Sequence, residues 1–422
     1  MNLANKVFIA LALGVIVGLG LNITELAVNP WVDQNIINGV FHVIGKLFVN
    51  ALKMLVVPLV LFSLIPGIIG IGDISLLGRI GTKAVVLYLV TTAIAITTAV
   101  AISAGLGIGD GMTIPTDASF MGKEAASSFS DILIGIIPTN PIAALANGDM
   151  LAIIFFSIFF GIALLSVAKE SKDLIKFIDQ VNAVVMKMVT MVMYFAPIAV
   201  FCLVGKAISE LGIDLLGQLL GYVGVLLFVL IFHVLVTQMA FLKVFTGLSI
   251  GMFLKKVRTA QLFAFSTSSS GATIPVTLRT VQKRFGVDQS VSSFSVPFGA
   301  TINMDGTAMM QGVATVFIAN IYGIHLGIEQ YALVVVTAVL ASIGTAAVPA
   351  VGLVMLTLVF NQVGLPVEGI GIILGVDRLL DMVRTAVNVT GDAVVTTIVA
   401  KSENRMDVDI YNDPEAGMID DQ

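Results

Sequence analysis

Apolar residues run through this chain in long, nearly unbroken stretches. They fall near residues 7–23, 36–70, 84–107, 131–168, 178–208, 213–242, 290–322 and 367–400. A membrane-crossing helix takes roughly 20 apolar residues, so the pattern predicts eight spans. Two further stretches, 259–278 and 330–362, are apolar but interrupted. The first breaks at Ser266-Thr267-Ser268-Ser269-Ser270-Gly271, the second at Ser342-Ile343-Gly344-Thr345-Ala346-Ala347-Val348-Pro349. The run after Lys6 has one positive charge before it and no clear small-x-small cleavage site, so it reads as a first membrane helix rather than a removed signal.

Composition narrows the class. Apolar residues make up 57% of the 422 and charged residues 12%, about half of what a soluble domain carries. So few charges exclude a soluble enzyme and a disordered chain. A net charge of −5 gives no basic footprint for nucleic acid. The continuous apolar runs exclude an outer-membrane barrel, whose strands alternate. Cys202 is the single cysteine, so no intrachain disulfide forms, and His42, His233 and His325 are too scattered for a metal-ligand motif.

The positive charges set the topology. With Lys6 inside, the connections expected in the cytoplasm and the tail carry 15 of the 22 Lys and Arg. The connections expected outside carry only Lys123 and Lys206. That asymmetry is the positive-inside pattern, with both termini cytoplasmic. It also explains the interrupted stretches. Lys255, Lys256 and Arg258 flank 259–278 on one side, and Arg279, Lys283 and Arg284 on the other. A segment with two basic flanks starts and ends in the cytoplasm, as a re-entrant hairpin. The 330–362 stretch, flanked by Glu329 and Glu368, is a hairpin from the opposite side. Non-helical backbone at membrane depth must be buried in protein or line a cavity, which points both tips at a binding site.

Three polar constellations lie in the apolar runs. Asp377, Asp381, Arg384, Thr385, Asn388 and Asp392 share one helical face of the last span. Three carboxylates and one arginine leave excess negative charge that calls for bound cations, although an internal salt-bridge stripe would use the same residues. Gly299-Ala300-Thr301-Ile302-Asn303-Met304-Asp305-Gly306-Thr307 holds poor helix formers and should unwind the seventh span. Freed carbonyls beside Asp305 suit a monovalent cation; a polar kink without an ion is the alternative. The serine-rich tip precedes a half-helix whose N-terminus favours a carboxylate, or else it is a flexible linker. Tyr88, Thr91 and Thr92 in the third span read, taken alone, as hydroxyls bonding back to their own helix.

Ser268-Ser269-Ser270, Asn303-Met304-Asp305-Gly306-Thr307 and the run from Asp377 to Asp392 occur here in one order and spacing. In them the chain resembles the dicarboxylate/amino acid:cation symporters, a family that includes archaeal aspartate transporters and mammalian excitatory amino acid transporters. The resemblance covers roughly residues 5–402. It implies an all-α integral membrane protein of eight transmembrane helices plus two oppositely oriented re-entrant helical hairpins, working as a homotrimeric elevator-type transporter in the plasma membrane. Residues 1–70 (spans one and two) and 111–210 (spans four and five) then form a scaffold. Residues 71–110 (span three) and 211–402 (span six, first hairpin, span seven, second hairpin, span eight) form the transport domain, and 403–422 a polar cytoplasmic tail.

The resemblance also implies roles. Arg384 clamps the substrate's side-chain carboxylate, which a guanidinium can bind through two hydrogen bonds. Asp381 pairs with its ammonium. Ser268, Ser270, Thr307, Thr385 and Asn388 are further substrate contacts. Tyr88, Thr91, Thr92, Asn303 and Asp305 correspond to one sodium site, Gly299, Asn303, Asn388 and Asp392 to a second, and Thr301, Ser342, Ile343 and Thr345 to a third. The implied partners are L-aspartate or L-glutamate, sodium ions as co-transported cargo, and the lipid bilayer. Two positions depart from relatives: Thr267 and Met382 stand where archaeal and animal members respectively carry an extra arginine beside the counterpart of Asp381. Ala347 and Ala350 replace frequent glycines in the second hairpin.

The leading expectation is therefore a sodium-coupled symporter that imports acidic amino acids, and not an enzyme. A proton-coupled carrier of glutamate or C4-dicarboxylates is the alternative; such relatives tend to lack the Asn-Met-Asp pattern and the aspartate found here at Asp392. A channel leaves a carboxylate clamp beside an ammonium partner unexplained, and no nucleophile–base pair or metal motif supports a membrane enzyme.

Overall fold

The structure is a computed structural model that describes residues 3–69, 80–111, 134–212, 214–343 and 351–417. Among the described residues the chain is almost wholly helical, and its β geometry is a single antiparallel bridge between Val287 and Met406. The first half holds α1 (Leu3–Ile23), α2 (His42–Ile69), α3 (Thr82–Leu106), α4 (Pro141–Asn147), α5 (Met150–Ser166), α6 (Lys172–Met193) and α7 (Ala196–Leu211). The second half holds α8 (Asp214–Phe232), α9 (Met239–Thr246), α10 (Ile250–Thr267), α11 (Ser270–Arg279), α12 (Gln289–Ile302), α13 (Asp305–Ile321), α14 (Ile328–Ile343), α15 (Val351–Val363), α16 (Ile370–Ser402) and α17 (Val408–Asn412).

Three segments among the described residues are long and apolar enough to cross a bilayer unaided: Pro30–Leu52, Thr82–Leu106 and Asp214–Thr246. The pair α6 and α7, bent by 48°, adds a fourth if taken as one span. The stretch read as one span over 131–168 is instead broken at Gly148, where φ is 73° and α4 gives way to α5. Polar residues break the seventh apolar stretch where the composition predicts. α12 ends at Ile302, Asn303 is extended, and α13 starts at Asp305.

Both interrupted stretches are helical hairpins. α10 and α11 pack on each other and turn at Ser268-Ser269. Ser268 takes the left-handed conformation at φ 50°, and Ser269 caps α11 through a hydrogen bond accepted from the Ala272 amide at 3.1 Å. α14 and α15 pack likewise, and their tip, with Thr345, Ala347 and Ala350, lies outside the described residues.

Packing sorts the helices. α1 lies on α7, and α2 on α5, α6 and α7. α16 is the hub of the rest, touching α8, α9, α10, α12 and α13, while α3 lies on α13 and α14. The two sets meet where glycines thin α16: a Cβ at Gly375 would come 2.5 Å from Leu11 Cδ1, and one at Gly371 3.0 Å from Leu203. Small residues allow close helix approach when no solvent drives association. An ion pair of 2.6 Å, Lys46 with Glu368, joins α2 to the segment before α16.

The segment after α16, expected as a polar tail, is docked through residue 412 onto the base of the first hairpin. The Asp288 amide donates to the Arg405 carbonyl and the Asp407 amide to the Gly286 carbonyl, at 2.9 and 2.8 Å. Gly286 sits at φ 71° with no room for a side chain against Asp407. Tyr411 is buried against Phe285, whose ring packs in turn at a tilt on Phe253, and its hydroxyl donates to the Ser249 carbonyl at 2.8 Å. Lys256, fully buried, donates to the carbonyls of Arg284, Ile410 and Tyr411 at 2.7, 2.7 and 2.8 Å.

Candidate functional site

The polar residues of α16 face α12, α13 and α8, and form one buried core with two chemically different ends. At one end is Arg384, fully buried. Its Nη1 donates to Asp377 Oδ1 at 2.6 Å and its Nη2 to Asp381 Oδ1 at 2.9 Å. Arg378 Nη1 lies 3.6 Å from Asp381 Oδ2. Two arginines and two aspartates therefore balance here. Arg384 Nε is buried without a hydrogen-bond partner, leaving one donor of the fork unused. The buried Thr385 hydroxyl donates to the Asp381 carbonyl at 2.7 Å. Gly306 packs against the Arg384 backbone, where a Cβ would meet the carbonyl oxygen at 2.8 Å. A Cβ at Gly352, near the start of α15, would lie 3.0 Å from Thr307 Cγ2 and 3.8 Å from Arg384 Nη2. Thr307, Arg384 and the second hairpin thus adjoin.

At the other end are Asp305 and Asp392, 0% and 1% exposed. Asn303 Nδ2 donates to Asp392 Oδ1 at 2.9 Å and to the Asn388 carbonyl at 3.1 Å. Asn388 Oδ1 accepts from the Gly306 amide at 2.7 Å. Thr92 donates to Asp305 Oδ1 at 2.6 Å. A Cβ at Gly299 would come 2.5 Å from the Tyr88 hydroxyl and 2.6 Å from Asp392 Oδ1, so only glycine fits between them. Neither carboxylate has a Lys or Arg partner among the described residues, and the buried Asn303 Oδ1 accepts no hydrogen bond. Two buried carboxylates without a Lys or Arg partner are costly unless a cation or a proton neutralises them.

The predicted residues are thus gathered unequally. Arg384, Asp381 and Thr385 lie together, with Thr307 adjoining them. Gly299, Asn303, Asn388 and Asp392 form one contiguous set. Asp305 and Thr92 touch, while Thr91 donates back to the Tyr88 carbonyl at 3.1 Å and Tyr88 donates to the Ser295 carbonyl at 3.0 Å. The hydroxyls of Thr301 and Ser342 also bond back, donating to the Phe298 and Val339 carbonyls. α12 and α14, which carry them, touch, and Ile343 ends α14. Thr345 lies outside the described residues. At the first hairpin's tip Ser268 and Ser270 are buried, and Ser268 Oγ has no hydrogen-bond partner. The hairpin seats on α16 through Gln261, whose amide donates to the Thr390 hydroxyl at 2.9 Å.

Three participants escaped the sequence. Asp377 was on the polar face but without a role, and it makes the shorter of Arg384's two bonds. His233 Nε2 lies 3.0 Å from Asp305 Oδ2, and Gln238 Nε2 lies 3.5 Å from the same oxygen. For His233 and Gln238 the available signal is a histidine and a glutamine, with Thr237, in an otherwise apolar run.

Comparison with known proteins follows the same line. The profile described as the sodium:dicarboxylate symporter family matches residues 3–402. The chain is 34% identical to the proton/glutamate-aspartate symporter of Escherichia coli (strain K12), over 96% of this chain and 94% of that protein. It is 32% identical to the proton/sodium-glutamate symport protein of Geobacillus stearothermophilus, over 96% and 95%. It is 31% identical to the C4-dicarboxylate transport protein of Bacillus subtilis (strain 168), over 96% and 94%.

Proposed function

We propose that this chain, which belongs to the sodium:dicarboxylate symporter family, imports aspartate or glutamate in symport with sodium. The observation that carries the reading is the split of one buried core into a guanidinium end and an uncompensated carboxylate end. Arg384 offers a fork and a spare donor to an incoming carboxylate. Asp381, already turned toward Arg384, would exchange that contact for the substrate ammonium. Asp305 and Asp392, with the free oxygen of Asn303, would hold sodium as cargo. Each ligand lowers the cost of burying the other, and that mutual dependence is the physical basis of coupling.

The carrier consists of eight spans and two oppositely oriented hairpins in the plasma membrane, with both termini cytoplasmic. The α1, α2 and α4–α7 set is the scaffold of a homotrimer. The set around α16 is the elevator that slides past it. The glycine-lined contact at Gly371 and Gly375 favours a sliding seam, since it presents little side-chain relief on the α16 side.

Radiolabelled aspartate uptake into liposomes, with sodium and proton gradients imposed separately, tests the coupling. Arg384→Ala should abolish acidic-substrate uptake, because removing one partner of a buried charge pair costs about 3–5 kcal/mol. Undiminished aspartate affinity in that variant would remove Arg384 from the clamp. Proton coupling is the second reading, favoured by the proton symport in the names of the E. coli and Geobacillus relatives. Equal uptake in a proton gradient without sodium would establish it.

A further inference from the structure

We infer that His233 is a positioning residue of the Asp305 cation site, one that holds the carboxylate in the orientation in which it receives sodium. The inference rests on the sodium reading above and assigns it a residue from a helix that contributed none.

His233 opens a π-helical segment, His233–Gln238, inside the long helix from Asp214 to Thr246. In a regular α-helix residues five apart lie about 140° apart around the axis and cannot reach one atom. The wider π turn brings them to the same side, and both donate to Asp305 Oδ2, at 3.0 and 3.5 Å. A carboxylate only accepts, so His233 Nε2 carries the hydrogen of that bond. Thr92 engages the other oxygen at 2.6 Å. His233 is 1% and Asp305 0% exposed, so bulk solvent does not reach the contact.

The surroundings are built around the pair. Gln238 also donates to the Val387 carbonyl at 3.3 Å, which ties the π segment to α16. A Cβ at Gly391 would lie 2.6 Å from Asn303 Nδ2 and 2.9 Å from Gln238 Nε2, so both amides press on one glycine of α16. Both amides are also left with a buried acceptor oxygen unused, Asn303 Oδ1 and Gln238 Oε1. Donors thus fix Asp305 from one side while free oxygens accumulate beside it. That is the arrangement a bound cation completes: the carboxylate is held, and the remaining oxygens are available. Without His233 the carboxylate keeps only Thr92 and a long contact to Gln238, and it turns. The substrate clamp shares no hydrogen bond with His233.

The test uses the purified full-length protein and two readouts: direct binding of radioactive sodium without substrate, and calorimetric aspartate titrations across sodium concentrations. His233→Phe keeps the ring volume and loses the donor. It should raise the sodium concentration for half-saturation about tenfold, the size of one charge-assisted hydrogen bond. Aspartate affinity at saturating sodium should stay within about twofold. His233→Gln, whose amide can reach the same oxygen, should restore sodium affinity to within about threefold; a residue needed only for packing would not be rescued by a donor. If His233→Phe fails to fold, His233→Leu carries the same expectation. Wild-type sodium binding in His233→Phe, with binding lost in Asp305→Asn, overturns the role of His233 and leaves the sodium reading standing. Wild-type sodium binding in Asp305→Asn as well removes the site and the inference together.

Discussion

Arg384 and Asp377 stand seven residues apart on α16, two turns along one face, and the guanidinium donates to the carboxylate at 2.6 Å with both side chains buried. Asp377 therefore shares the charge that an incoming substrate carboxylate must use. Asp377→Asn keeps an acceptor for Nη1 and removes the competing charge. Aspartate should bind at least about threefold tighter, ~0.7 kcal/mol, and leave more slowly, so maximal uptake falls. Calorimetric affinity and liposome turnover measured on the same preparation decide it; weaker binding would mean that Asp377 orients Arg384 more than it competes.

Gly299→Ala tests the second cation set without altering any charge. The added Cβ would lie 2.5 Å from the Tyr88 hydroxyl and 2.6 Å from Asp392 Oδ1, so one of them must move. Asp392→Asn removes the charge and leaves the space. Both variants should shift the sodium dependence of aspartate binding upward by about tenfold or more, with substrate selectivity unchanged. An unaltered sodium curve in both would exclude this set as an ion site.

Thr267→Arg adds to the first hairpin tip the arginine that archaeal relatives have. The Thr267 hydroxyl donates to the Phe263 carbonyl at 3.0 Å and accepts from the Ser269 amide at 3.3 Å, so it organises the turn. The side chain is half-buried, which leaves a long replacement a path outward. Aspartate affinity at matched sodium should change by more than about threefold, or ~0.7 kcal/mol. Identical affinity and release rate would show that position 267 does not communicate with Asp381.

The docked C-terminal segment has its own consequence. Tyr411→Ala empties a fully buried aromatic position against Phe285 and removes the hydroxyl bond to Ser249. The expected loss is about 3 kcal/mol, from lost burial and the cavity left behind. Thermal unfolding in detergent should show a midpoint lower by several degrees, with sodium and aspartate affinities near wild type below it. An unchanged midpoint would mean that the segment does not brace the hairpin.

The sequence by itself determined the helical membrane class, both hairpins and the break at Asn303. These follow from local causes: continuous apolar runs, basic flanks, and residues that cannot continue a helix. The face of α16 from Asp377 to Asp392 was equally legible, because a helix converts spacing directly into direction. Which of these residues meet was decided by the tertiary structure. Asn303 and Asp392 are 89 residues apart in sequence, and only the packing of α12 on α16 makes them partners. His233 looked like an isolated histidine in an apolar run until a π turn aimed it at Asp305, 72 residues away. Lys256 reads as a basic hairpin flank and Tyr411 as part of a polar tail, yet docking buries both. Hydrophobic patterning specifies where a helix goes in the membrane but not its rotation against each neighbour. Buried polar contacts depend on that rotation to within an ångström, and it emerges only when all the helices pack together.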